Sequence, residues 1–558
     1  MRSTRFASSS PSVLAFALLL ISSAAAQSNP VVFANQRNAI SDAQELPAGA
    51  GAQLAHAAQV PPIKFGRAVF LYMEMIPYSV ALADLNGDGK LDIVTAGTQN
   101  YNNYDGEVAV RLGNGDGTFG ASVGYSSGGC WAMSVAVGDV NGDGYPDLVV
   151  ANEGYCTGNG DGEVSVLLGN GDGTFQLAVG YDSGGEGAAS VVIADVNSDG
   201  KPDLIVANGC LGTNCANGSV AVLLGNGDGT FQPAVLYDSG GNRAVSVAVG
   251  DLNGDGKPDL VVANQCQAGG SLRTGPLSLC NDGFATVSVL LGNGDGTFQP
   301  AVPYSWTGDG AASVAIADVN GDGNPDLVVA VQYYDHRSTI GEVSVLLGNG
   351  DGTFQAATSY KSGGIQATSV AIGDFNDDGY PDLAVTNMCK STDQWDDCLG
   401  PGTVGVLLGN GDGTFLAPKT YGTVALSAAS VAVGDLTGDG QSDLVVADEY
   451  SAYTSGVGVL LNEFTFTTTK LTSSPNPSLT NQTVTFTATI TSIKPIPDGE
   501  VVTFYSGKTE IGTGMTASGV ATLNTSFSTA GKYTIKASYP GDAFHKPSFG
   551  KVVQVVNQ

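Results

Sequence analysis

Asp84, Asn86, Asp88 and Asp92 place side-chain oxygens at positions 1, 3, 5 and 9 of a nine-residue stretch. Lys90 offers its carbonyl at position 7, and Gly89 stands at position 6. Alternate residues can face one point only if the chain curls sharply, and a glycine permits that. Oxygen donors without His or Cys suit a hard cation such as Ca2+, not zinc or copper. The pattern returns as Asp139, Asn141, Asp143, Tyr145 and Asp147, and again as Asp195, Asn197, Asp199, Lys201 and Asp203. The next copies are Asp251, Asn253, Asp255, Lys257 and Asp259, then Asp318, Asn320, Asp322, Asn324 and Asp326. Asp374, Asn376, Asp378, Tyr380 and Asp382 follow, and the last copy, Asp435, Thr437, Asp439, Gln441 and Asp443, has a hydroxyl in place of the carboxamide. Three carboxylates converging on one point repel strongly without a cation. The expectation is about seven structural Ca2+ sites, with an Asx-turn loop holding no metal as the alternative reading. An EF-hand would need a Glu at position 12 and a helix after it. Thr95 stands there, in a strand-like run.

These loops need elements to hold them. A second string, Leu-Gly-Asn-Gly-Asp-Gly-Thr-Phe, starts at Leu112, Leu168, Leu224, Leu291, Leu347 and Leu408 and alternates with the Asp loops. One unit is therefore about 56 residues long, as the interval from Leu112 to Leu168 shows. Each unit reads as four strands with no helical period. In the second, Met133 to Val137 leads into the Asp loop, Leu148 to Ala151 is continuously apolar, Glu163 to Leu168 alternates, and Gln176 to Tyr181 is fourth. Asn and Gly in the second string supply the tight reversal between the last two strands. Turn chemistry accounts for its Asp116, Asp172, Asp228, Asp295, Asp351 and Asp412. Four strands at a fixed period fit a propeller blade. The last unit lacks its fourth strand, while Phe65 to Phe70 matches the missing piece, so the ends should join and close a seven-bladed ring.

Outside the repeats, residues 1–26 read as a signal peptide: Arg2 and Arg5, an apolar Val13 to Ile21, then Ala24-Ala25-Ala26 before the cut. Residues 27–62 read as a flexible linker, 63–462 as the propeller and 463–558, rich in Thr, Ser and Val, as an Ig-like β-sandwich. The fold class is all-β. No later stretch is apolar enough to span a bilayer. Eight cysteines suit an oxidising compartment. Spacing pairs Cys210 with Cys215, Cys266 with Cys280 and Cys389 with Cys398, leaving Cys130 with Cys156.

The two strings together resemble the FG-GAP repeat, in its bacterial VCBS-like branch, over residues 65 to 462. That resemblance implies an integrin-α type seven-bladed β-propeller with Ca2+ between strands 1 and 2 of a blade. The chain departs from it in having such loops in all seven units. The C-terminal segment, with Ser538-Tyr539-Pro540-Gly541-Asp542, resembles bacterial Ig-like repeat domains.

In a propeller the Asp loops and glycine turns share one face, and the varied loops share the other. Trp131, Trp306, Trp395, Tyr104, Tyr333 and Tyr334 fall on the varied side, where aromatic groups could stack on a sugar or anchor a protein. The reading is a secreted or cell-surface, calcium-binding, non-catalytic module for an extracellular glycan or protein, with the propeller monomeric. A polysaccharide lyase or hydrolase is the runner-up, with Asp335, His336 and Arg337 its only candidate cluster. A structural spacer is the third reading. Gly124-Tyr125-Ser126-Ser127-Gly128 matches a nucleophile-elbow pattern but precedes a strand, not a helix. A net charge of −31 excludes nucleic acid bound through its phosphates. Positions 1, 5 and 9 of the seven loops alone hold 21 of the 53 acidic residues.

Overall fold

An unbroken apolar run such as Leu148-Val149-Val150-Ala151, with two β-branched valines at its centre, suits a strand covered on both faces. It lies in the strand Asp147–Asn152, every residue of which is buried. The structure is a computed structural model and describes residues 63–99, 104–154, 161–210, 217–267, 284–308, 310–332, 341–392, 398–449, 455–463, 465, 467–492, 494–542 and 545–558. The expected signal peptide and linker lie outside these residues. The described residues contain strands and no helix.

In the second unit Ala132–Gly138 pairs antiparallel with Asp147–Asn152, which pairs with Asp161–Leu167, which pairs with Val179–Ala194. The fourth strand starts at Val179, not Gln176, because Phe175 first closes the glycine turn by bridging Gly169. Val179–Ala194 then runs without a break into the first strand of the third unit, so these two units share a seven-stranded sheet. The other units each form a four-stranded sheet in chain order. The last has only Ala428–Gly434, Asp443–Asp448 and Gly456–Leu460 of its own. Val69–Tyr72 completes it, Val69 opposite Val459 and Tyr72 opposite Gly456. The first strands touch in cyclic order, and Ala428–Gly434 meets Ile76–Ala83 to close the cycle. The described strands thus form seven four-stranded units arranged as a propeller.

Three repeated contacts hold neighbouring units together. A buried serine on each of five first strands accepts an N–H from the next, as Ser79 Oγ does from Val135 at 3.3 Å. A bulge in each first strand, between Ala132 and Ser134 in the second unit, frees the backbone for this. A tyrosine of one unit meets the turn phenylalanine of the next edge-to-face, as Tyr125 and Phe175 do at 5.6 Å. At the ring junction Phe65 meets Tyr421 at 5.2 Å, and Leu71, where other units have a tyrosine, packs against the same core cluster as Phe119. Each of five glycine turns also donates to the preceding unit's Asp loop, Gly229 N–H to the Val140 carbonyl among them.

The C-terminal domain is two sheets facing each other. One holds Thr467–Ser474, Val484–Ser492 and Val520–Thr525. The other holds Ser478–Leu479, Ser548–Asn557, Gly531–Tyr539, Val501–Ser506 and Thr509–Met515. Phe486, Phe504, Ile535 and Tyr539 fill the space between. Thr467–Ser474, Ser478–Leu479 and Thr509–Met515 were not expected from sequence, because their apolar alternation is weak.

Candidate functional site

The Asp loops curl as their glycines require. Gly87 and Gly89 both take positive φ, 72° and 81°. Asp84 sits at the centre of the curl: its Oδ1 accepts Asp88 N–H at 3.1 Å and its Oδ2 accepts Gly89 N–H at 2.8 Å. Asn86 Oδ1 accepts Asp88 N–H, and Asp88 Oδ1 accepts Lys90 N–H, each at 3.0 Å. The bond from the position-6 glycine to the first Asp occurs in all seven loops. The last loop is the exception at position 3: the six asparagines each accept the position-5 amide, whereas the Thr437 hydroxyl donates to Asp435 Oδ1 at 3.5 Å. The position-7 side chains lie across the following turn, Lys90 over Gly115 and Tyr145 over Gly171.

Position 9 behaves differently. Asp92 is buried, and each of its oxygens accepts a backbone N–H: Leu85 at 2.8 Å and Gly113 at 2.7 Å. Asp147, Asp203, Asp259, Asp326, Asp382 and Asp443 repeat this pair of bonds. The position-9 carboxylate therefore ties the start of the Asp loop to the glycine turn, a structural task that the ligand reading of the sequence missed. Burial raises the Asp92 pKa, and the charges of Asp88 and Asp84 add to the rise. Asp382 and Asp443 are pushed up to about 7 by deeper burial.

Among the described residues no three His, Cys, Asp or Glu side chains are gathered into a metal-holding group. The loop chemistry nevertheless fits a hard divalent cation. All donors are oxygens, the carboxylates of one loop repel one another, and an oxygen that accepts one N–H keeps a second lone pair. Asp84, Asn86, Asp88, Asp92 and the Lys90 carbonyl, with their counterparts, would hold it. The turn aspartates do a different job: Asp116 Oδ1 accepts the Thr118 amide at 3.0 Å and hydroxyl at 2.5 Å, which holds its pKa down.

On the opposite face, Trp131 follows the strand Val123–Cys130 in a left-handed conformation, φ 54°. It stacks on Tyr104 at 4.7 Å and Tyr78 at 6.0 Å. Tyr104 is 42 % exposed. Beside them lies a groove of about 970 Å³ lined by Asp105, Glu107, Tyr125, Glu163, Tyr181 and Asp182 over a floor of glycines. Burial raises the pKa of both Glu107 and Glu163. Trp306 does not belong with the loop aromatics. It lies within the strand Val302–Thr307, half-buried against the core, because it faces Ala285 across the sheet. Trp395, Tyr333, Tyr334 and the candidate cluster Asp335, His336 and Arg337 lie outside the described residues. Ser126 of the elbow-like pattern sits in a strand and accepts the Gly128 N–H.

Cys130, Cys210, Cys266 and Cys389 are disulfide-bonded. Cys156, Cys215, Cys280 and the side chain of Cys398 lie outside the described residues. Sequence reasoning also missed three acids at the ends of second strands, the buried Glu153 and Asp448 and the half-buried Glu449. Burial pushes each up to about 7. Their departure from the repeat consensus was the available signal.

Fold and loops together define a β-propeller whose units each carry an acidic loop between their first two strands. The chain belongs to the FG-GAP-like repeat family, which matches residues 84–150, 154–206, 210–262, 277–329, 318–385 and 392–446. Residues 471–557 match the bacterial Ig-like domain, group 3. The chain is 32 % identical over 165 residues to phosphatidylinositol-glycan-specific phospholipase D of Bos taurus, covering 26 % of this chain and 19 % of that protein. It is 28 % identical over 203 residues to integrin alpha-V of Gallus gallus, covering 33 % and 19 %. It thus spans about a fifth of the length of these relatives. A solved structure titled Dos1 propeller aligns with 71 % of this chain and 94 % of its own, at 10 % identity and a TM-score of 0.39.

Proposed function

We propose that the protein is a calcium-rigidified, non-catalytic binding module that works outside the cell or on its surface. It takes a glycan, or a protein segment, on the face opposite the Asp loops. The observation that carries this reading is the exposed Tyr104, stacked on the half-buried Trp131 beside the groove lined by Glu107, Glu163, Tyr125 and Tyr181. Ring faces suit the apolar faces of sugars, and carboxylates suit their hydroxyls. Integrin-like and bacterial Ig-like relatives and bonded cysteines support an extracellular setting. No helix of the described residues is long and apolar enough to cross a membrane. Bound Ca2+ would supply fixed positive charge that holds the loop carboxylates together.

Glycan and secreted-protein arrays probed with the intact chain test the reading. Capture should be present in Ca2+ and weakened in EDTA. Tyr104→Ala should lower it at least about tenfold, the scale of an aromatic contact hot spot. Full capture by Tyr104→Ala, with folding unchanged, would contradict the assigned face. Turnover of a polysaccharide would instead support the enzyme alternative.

A further inference from the structure

The sixth Asp loop departs from the other six at position 4. Five copies have glycine there and one has serine, all at positive φ, whereas this loop has Asp377 at φ 56°. An aspartate in that conformation is strained relative to glycine, and it adds a further negative charge to an already acidic loop. The rest of the curl is kept: Asp374 still accepts the amides of Asp378 and Gly379, at 3.2 and 2.8 Å.

A cation of the chain's own meets this extra charge. Lys546 of the C-terminal domain reaches across, its Nζ 3.3 Å from Asp377 Oδ2. The carboxylates of Asp374 and Asp378 attract it too. Lys546 is only 7 % exposed. Its backbone is pinned on both sides, since its N–H bonds the Thr465 carbonyl at 2.8 Å and its carbonyl accepts the Thr467 hydroxyl at 2.7 Å. Asn376 is buried, whereas the asparagines of the other loops are half-buried. A buried ammonium needs paired carboxylates around it. A divalent cation held by the same carboxylates would repel it.

We propose that the sixth Asp loop, in the intact chain, is the docking site for the Lys546 ammonium and does not hold Ca2+. The C-terminal domain is thereby latched to the propeller, and calcium at this loop competes with docking. This rests on the calcium reading of the other loops.

The test compares the intact chain with Lys546→Met and with Asp377→Gly, which restores the usual residue. Calorimetric titration with CaCl2 gives the number of ions bound, and small-angle scattering in EDTA gives domain docking. Lys546→Met should bind one more ion than the wild type, and both variants should show a larger radius of gyration in EDTA. Where the chain binds Ca2+, an ion count that Lys546→Met leaves unchanged would overturn the proposal. If no variant binds Ca2+, the calcium reading itself fails. Scattering then decides the latch: expansion in the variants upholds it, and unchanged dimensions reject it.

Discussion

The aspartates of one loop look alike in sequence and separate in the structure. Asp199 is exposed and bonded only within its loop, while Asp203 is buried and joins Val196 N–H at 2.9 Å to Gly225 N–H at 2.8 Å. Asp203→Asn should therefore destabilise the protein with or without calcium. The expected cost is about 1–3 kcal/mol in urea unfolding, since an amide nitrogen would face a backbone donor. Asp199→Asn should lower stability only when Ca2+ is present. Equal losses in EDTA for both variants would refute this division of labour. The loop was legible because its positions 1, 3, 5 and 6 follow local chain geometry. The special role of position 9 was not, because the partner amide at Gly225 is 22 residues away and only the folded sheet brings it near.

At the scale of elements, the strand count and the circular shift of the repeat were readable from periodicity alone. The Phe65 motif stood where a missing fourth strand was needed, and the structure seats it there. The shared strand Val179–Ala194 was not readable, because nothing in Ser183 to Gly187 differs in composition from a turn. The serine links between first strands were hidden for another reason: a small polar residue in an apolar run carries no periodic signal. The junction strand makes a testable demand. Phe65 is 4 % exposed and meets both Phe375 and Tyr421. Phe65→Ala should cost about 3–5 kcal/mol of unfolding free energy by opening a core cavity. Tyr72→Ser, 53 % exposed on the same strand, should change it by less than about 0.5 kcal/mol. Similar losses for the two would mean that the strand closes the ring through its backbone bonds alone.

For the whole molecule, acidity has a stability consequence. Glu153 has a folded pKa of about 7 against an ordinary 4.5, because burial outweighs the pull of Arg243. Glu449 is likewise raised to about 7 by burial, which its bond with Ser427 only partly offsets. Between those values the folded form binds more protons than the unfolded form, so stability falls as pH rises. The contribution of these two groups is complete below about pH 4.5, declines up to about pH 7, and is flat above. Glu153→Gln should therefore melt higher than the wild type at pH 8 in EDTA and match it near pH 4.5. A constant difference across that range would place the group outside the buried site.

The ring junction also decides how the molecule would carry tension. Lys64 and Glu463 stand together where the chain enters and leaves the propeller, their side chains 3.3 Å apart and Glu463 N–H on the Lys64 carbonyl at 2.8 Å. The two chains run antiparallel from there, Val69 opposite Val459. A pull on the two flanking segments loads this one strand pair from its end and parts its bonds one after another. None of the force passes round the other units. Mechanically the propeller is a clasp with a weak tongue, and a stretched chain would shed its first strand while the remaining units kept their shape.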